Sequence, residues 1–344
     1  MSQFIQLHIL TSYAPSNLNR DDLGRPKTAK MGGFDRLRVS SQSLKRNWRC
    51  SDIFESSLAD NIGKRTKRFG LQVFDVMIDK GVAEKNAKAW AAEIAGVFGK
   101  IKKDSLEIEQ LAHISPEEKT AAFELAAILA EENRAPKDEE KALLRKNQSA
   151  VDIALFGRML ASSPQYNVEA ACQVAHAISV HSIVVEDDYF TAVDDLNDGK
   201  VDSGSSHIGE SGFAAALFYN YICINKSQLI ENLNGNEALA NKAIQALTEA
   251  AVKVSPKGKQ NSFASRAYAS YVLAEKGEQQ PRSLSAAFLK PVTGGDQAVD
   301  AIAALNKQTE NFDKVYGECA ETRYTIDAVN GEGTFDELKT FVAQ

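Results

Sequence analysis

The chain contains no run approaching the roughly 20 apolar residues that a membrane helix needs, so no membrane partner is expected. Its four cysteines, Cys50, Cys172, Cys223 and Cys319, lie far apart. They make neither a metal-ligand pair nor a disulfide framework, which fits a reducing cytoplasm. No glycine-rich loop of the nucleotide-binding type occurs, and neither a cofactor nor a metal site is expected. The N-terminus, Met1-Ser2-Gln3-Phe4-Ile5-Gln6, lacks the basic start of a signal peptide. A basic excess is missing as well: 40 Lys+Arg stand against 46 Asp+Glu, a formal charge of −6. Spread evenly, that balance argues against nucleic-acid binding.

The balance is not spread evenly. Arg20 to Arg49 holds nine basic residues and three acidic ones, a local charge of +6 that leaves −12 for the rest. Between His181 and Phe213 the bias reverses: Glu186, Asp187, Asp188, Asp194, Asp195, Asp198, Asp202 and Glu210 face only Lys200. A chain so divided can bind a polyanion along one track while the remaining surface keeps it soluble.

Hydrophobic spacing predicts the main elements. Phe4 to Leu10 reads as a strand, with Ile5, Leu7 and Ile9 on one face and Gln6 and His8 on the other. Residues 40–49 read as a helix capped by Ser40 or Ser41, and 59–146 as mostly helical, with a strong helix start at Ser115-Pro116-Glu117-Glu118. Val151 to Leu155 returns to period two. Val174–Val185, Leu217–Ile224 and Tyr268–Leu273 read as strands, Asn236–Val254 and Asp296–Val315 as helices, and the polar stretch Gly199–Gly212 as an exposed excursion. This order suits an α+β sheet domain with an inserted helical block.

The segment 40–49 carries the clearest chemistry. On a helical wheel Gln42, Lys45, Arg46 and Arg49 fall on one side and Leu44 and Trp48 on the other. The apolar side anchors the helix, the cations face out, and the helix start offers free N–H groups and the Ser40 and Ser41 hydroxyls to a phosphate. Arg36 and Arg38 alternate just before it, and Arg20, Lys27 and Lys30 lie in the preceding loop. A solvated basic face is the competing reading. Pro256-Lys257-Gly258-Lys259-Gln260 is a second basic loop, equally able to touch a nucleic-acid backbone or to be solvated.

Several stretches resemble a known family. They are Ser16-Asn17-Leu18-Asn19-Arg20-Asp21-Asp22, Gly32-Gly33, Arg36-Leu37-Arg38-Val39-Ser40-Ser41-Gln42-Ser43-Leu44-Lys45-Arg46, Val151-Asp152-Ile153-Ala154-Leu155 with Gly157-Arg158-Met159, Ala175-His176-Ala177-Ile178, and Phe190-Thr191-Ala192-Val193-Asp194-Asp195-Leu196 with Ser206-His207-Ile208-Gly209. In this order they resemble CasC, the repeated backbone subunit of the type I-E CRISPR Cascade surveillance complex. The resemblance implies a hand-like α+β fold: an RNA-recognition-motif-like (ferredoxin-like) palm sheet over 1–58 and 147–344, helical fingers over 59–146, and a β-hairpin thumb over 183–213. It implies a non-catalytic, cytoplasmic subunit that stacks head to tail along a CRISPR RNA. Such a heterologous contact builds filaments. The subunit would grip the guide's phosphates and kink it at regular intervals, so that segments pair with a target DNA strand beside other Cascade subunits. Arg20, Lys27, Ser40, Gln42, Lys45, Arg46 and Arg49 then occupy the guide-gripping positions. Met159 and Phe190 occupy those of the apolar wedge, with Thr191 beside it. On their residue types alone, Met159 and Phe190 would be ordinary core. Phe34-Asp35 stands where a further basic residue is expected, Phe156 is larger than expected, and the run at 197–204 lengthens the thumb.

Two rival functions remain in view. The paired carboxylates Asp187-Asp188 and Asp194-Asp195, near His181 and His207, have the composition of a metal-dependent RNA-cleaving site, although such residues also serve turns. A standalone single-strand RNA-binding protein is the other.

Overall fold

The computed structural model describes residues 3–146, 149–192, 195 and 207–344. Strands β1 (Phe4–Ser16), β2 (Thr28–Met31) and β3 (Phe34–Val39) lead into helices α1 (Ser41–Arg49) and α2 (Asp52–Leu58). A helical block follows: β4 (Lys64–Thr66), α3 (Phe69–Asp79), α4 (Glu84–Gly96), β5 (Ala112–Ile114) and α5 (Pro116–Glu132). The chain returns through α6 (Val151–Phe156), β6 (Cys172–Val174), β7 (Ala177–Ser179), β8 (Glu186–Ala192) and β9 (His207–Asn225). It ends with α7 (Lys226–Asn232), α8 (Glu237–Lys253), α9 (Gln260–Phe263), β10 (Tyr271–Gly277), α10 (Gln297–Tyr316), β11 (Thr322–Asp327) and α11 (Phe335–Ala343).

The fold is mixed α+β around one large antiparallel sheet, ordered β11-β10-β1-β9-β7-β3-β2, with β6 and β8 also paired to β9. Leu7 of β1 lies between Ile222 of β9 and Ala274 of β10. One face packs Ile5, Leu7 and Ile9 under Leu44, Trp48, Ala243 and Leu247 of α1 and α8 and Leu338 of α11. The other face is covered by α10 and the segment around Leu284 and Phe288. This second layer buries Gln6 and His8 almost completely, so β1 is sandwiched on both sides. The polar side chains survive burial because each is matched: His8 bonds Tyr219 Oη (2.9 Å) and Glu275 (3.1 Å), and Gln6 accepts from Tyr221 Oη (2.7 Å).

The helical block has its own core, with Phe69, Val73, Trp90, Ile94, Ala122 and Leu129 packed together. Its α5 starts as the sequence predicts. Ser115 accepts from Glu118 N, Glu118 accepts from Ser115 N, and Pro116 opens the first turn. Glu118 is buried and bound to Arg158 at 2.7 Å.

Two expectations are corrected. Val151–Leu155 is helical rather than extended. All five residues are buried, and a short apolar run wanted on every side shows no period by which strand and helix can be separated. The expected strand Val174–Val185 is broken into β6 and β7, with further irregular backbone before β8. Between the pairs Val174↔Ile222 and Ile178↔Tyr219 one strand advances four residues and the other three. That extra residue is a β-bulge.

Candidate nucleic-acid interface

Helix α1 organises the basic track. Leu44 and Trp48 are its buried anchors, 6% and 1% exposed, and each such burial stabilises by about 1.5–3 kcal/mol. Ser40 caps the helix, its hydroxyl accepting from Ser43 N at 3.3 Å. The cap is tied to the preceding loop, because Ser40 N donates to Asn19 Oδ1 at 2.9 Å. Asn17, fully buried, donates to the carbonyls of Gly24 and Gly212, both at 2.9 Å. Helix start, basic loop and hairpin base are therefore one hydrogen-bonded unit.

The sequence-predicted residues distribute over this unit as follows. Gln42 and Arg46 are exposed on α1, Lys45 is half-buried, and Ser40 is buried at the cap. Arg20 and Arg46 share an open cleft of about 660 Å³ with Lys257, and Asp21 and Asp22 also line it. Lys257 comes from the second basic loop, whose Lys257 N donates to Asn47 Oδ1 at 3.2 Å. At Gly258 a Cβ would stand 2.2 Å from the carbonyl oxygen of Leu18, so only glycine lets this loop lie on the first one. The backbone thus adds Lys257 to the track, a contribution signalled in sequence only by the basic composition of residues 256–260.

The charges of Arg38, Lys27 and Lys45 all act on His176. Arg38 lies 2.9 Å from His176 Nδ1. Guanidinium groups only donate, so Nδ1 accepts and the ring proton sits on Nε2. Partial burial, then the charges of Arg38, Lys27 and Lys45, hold the imidazole below its ordinary value. Three cations acting on one imidazole make a site that favours an anion.

Arg36 and Arg49 behave differently from the sequence pattern. Arg36 is fully buried and donates to the carbonyls of Ser179 (2.9 Å) and Phe288 (2.8 Å), so it fastens the sheet to the second layer. Arg49 turns to Asp152 at 3.3 Å. Asp152 also accepts from Gly63 N and bonds His113 Nε2, both at 2.7 Å. Burial alone would raise the Asp152 carboxyl pKa; the hydrogen bonds of His113 and Gly63 and the charge of Arg49 bring it below the usual carboxylate range. Arg49 is thus engaged where α1, α6 and the helical block meet.

The apolar residues are not core. Met159 is 86% exposed, at the rim of a cleft of about 350 Å³ that also holds Arg65, Lys100 and Leu111. Met159→Ala is therefore expected to change the urea unfolding free energy by less than about 0.5 kcal/mol. A core methionine would cost about 2–5 kcal/mol. Phe190 is 43% exposed in the β8–β9 hairpin, opposite Gly209. A Cβ on Gly209 would come within 2.5 Å of its ring, so the glycine lets the ring lie across the partner strand. Thr191, paired with Ile208, projects from the opposite face of the pleat to Phe190. The two cannot touch the same face of one ligand. Tyr189 and Ile208 share Thr191's side and are 61% and 59% exposed.

Of the acidic residues, Asp187 pairs with Arg25 at 2.9 Å. Asp194 and the side chain of His207 lie outside the described residues, as do Leu196 to Ser206 in the expected thumb. Among the described residues no three His, Cys, Asp or Glu side chains gather as metal ligands, and no helix is long and apolar enough to cross a membrane.

A family model for CT1975-like proteins matches residues 5–341. A chain of a solved CRISPR RNA-guided surveillance complex, pre-nicking, is similar at 30% sequence identity and a TM-score of 0.86, over 99% of each chain. A chain of another CRISPR RNA-guided surveillance complex is similar in fold, with a TM-score of 0.76 at 24% identity over 99% of each chain. No curated protein matches.

Proposed function

The chain belongs to the CT1975-like protein family, and from that premise we propose that it is a CRISPR RNA-binding backbone subunit of a surveillance complex, of the CasC type found in type I-E Cascade. The observation that carries the reading is the union of Arg20, Lys27, Arg38, Lys45, Arg46 and Lys257 around α1 in a chain whose overall charge is negative. A cationic track with a capped helix start suits a phosphate backbone. Contacts to phosphate fix register and carry no sequence information, so specificity is left to base pairing between guide and target DNA strand.

On this reading the sheet is an RNA-recognition-motif-like palm over 1–58 and 147–344, the block at 59–146 is the fingers, and 183–213 is the thumb. Copies stack head to tail along the guide beside other complex subunits, in the cytoplasm. The exposed Met159 and the ring of Phe190 supply apolar surface beside a displaced nucleotide, where stacking offsets lost base stacking by about 1–3 kcal/mol per base. On this reading the subunit acts without catalysis, and the pairing of Asp187 with Arg25 supports it.

The test is the nucleic acid that the protein retains. RNA copurified with the chain and its complex partners should consist of short species sharing one repeated end sequence joined to differing inserts. A heterogeneous sample of cellular RNA would instead favour a general single-strand binder.

A further inference from the structure

His176 has an unusual position. It is exposed on the bulge between β6 and β7, where residues 175–177 stand opposite only residues 220–221 of β9. Bulges re-aim side chains and collect beside functional sites. Here the extra residue brings an imidazole into the basic track, among Arg38 of β3, Lys27 of the loop before β2 and Lys45 of α1. Arg38, at 2.9 Å from Nδ1, leaves Nε2–H as the ring's outward donor. A histidine placed beside three cations is disfavoured as a charged group, and an anion joining them would relieve that repulsion.

We propose that His176 is a further phosphodiester ligand of the guide site, donating from Nε2, with Arg38 as its positioning residue. This rests on the guide-binding reading and adds a property to it. In the empty track the imidazole is neutral at pH 7, since burial, Arg38, Lys27 and Lys45 all disfavour its charged form. A bound phosphate supplies the missing negative charge and raises the pKa of the same ring. Binding therefore takes up a proton. Affinity for RNA rises as pH falls through the bound-state value and levels off below the empty-state value. The lysines and arginines around it stay charged throughout this range, which isolates the effect to His176.

The experiment measures affinity of the full chain for an unstructured RNA oligonucleotide at pH 6, 7 and 8, at fixed salt. Wild type should bind several-fold tighter at pH 6 than at pH 8. His176→Gln keeps a neutral donor and should match wild type at pH 8 while losing the pH dependence. His176→Ala should bind roughly tenfold more weakly at pH 6, the worth of a lost charge-assisted hydrogen bond. A His176→Gln variant with the wild-type pH profile would overturn the proposal, as would His176→Ala binding equal to wild type at pH 6. Lys45→Ala with Arg46→Ala separates the levels: if that double variant also binds normally, the guide-binding reading itself fails. If it binds weakly while the His176 variants bind as wild type, only the present inference fails.

Discussion

Asp152→Ala should cost about 3–5 kcal/mol of stability, the usual penalty when one partner of a buried ionic cluster is removed. Asp152 is fully buried, and its two oxygens serve Arg49, His113 and Gly63 N–H. Removing it strands a guanidinium and an imidazole where the end of α1, α6 and β5 meet. The urea midpoint should fall with little change in slope, and Asp152→Asn, which keeps the acceptor for Gly63, should fall less. The same carboxylate makes stability depend on acid. Its folded-state pKa lies below the unfolded value near 3.9, so its contribution is complete above that pH and is lost as pH falls through the folded value. Asp152→Ala should flatten the acid limb of the stability profile. An unchanged midpoint would mean that the cluster contributes nothing to holding α1 against the helical block.

The second large effect concerns binding. Lys45→Ala with Arg46→Ala should weaken RNA affinity roughly 100-fold near 0.1 M salt, taking about 1.5 kcal/mol for each charge-assisted contact. The logarithmic salt dependence should become shallower by about 1.4, since each phosphate contact on a single strand contributes about 0.7. Fold stability should hardly move, because Arg46 is exposed and Lys45 half-buried. Lys307→Ala with Lys314→Ala removes the same charge from the exposed side of α10 and serves as the control: its affinity and salt slope should stay near wild type. Arg49→Ala belongs to a different class, because its guanidinium is engaged with Asp152, and it should lower stability more than it changes the salt slope.

The parts of this arrangement that local rules govern were legible in the sequence. The Ser40 cap, the buried Leu44 and Trp48, and the helix start at Ser115-Pro116 all depend on residues within one or two turns. The opposite projection of Phe190 and Thr191 also follows from period two, although grouping them as one site overlooks it. What the sequence left open depends on contacts distant in the chain. Gln6 and His8 look like the wet side of a strand until Tyr219, Tyr221, Glu275 and the segment at Arg282 claim them. Arg36 and Arg49 look like surface cations until carbonyls from residues 179 and 288 and the carboxylate of Asp152 claim them. Lys257 joins the track only because Gly258 rests on Leu18. His176 reaches it only because a bulge interrupts a strand that periodicity reads as continuous. Position along the helix surface was therefore readable, while which cations remain available for a ligand was decided by tertiary partners.

The central claim is that copies of this chain hold one RNA along repeated basic tracks and displace nucleotides at regular intervals. Nuclease footprinting of the RNA in the assembled complex measures that directly. Accessible nucleotides recurring at one constant spacing along the guide are the predicted result. Uniform protection, or cleavage without any period, would contradict it.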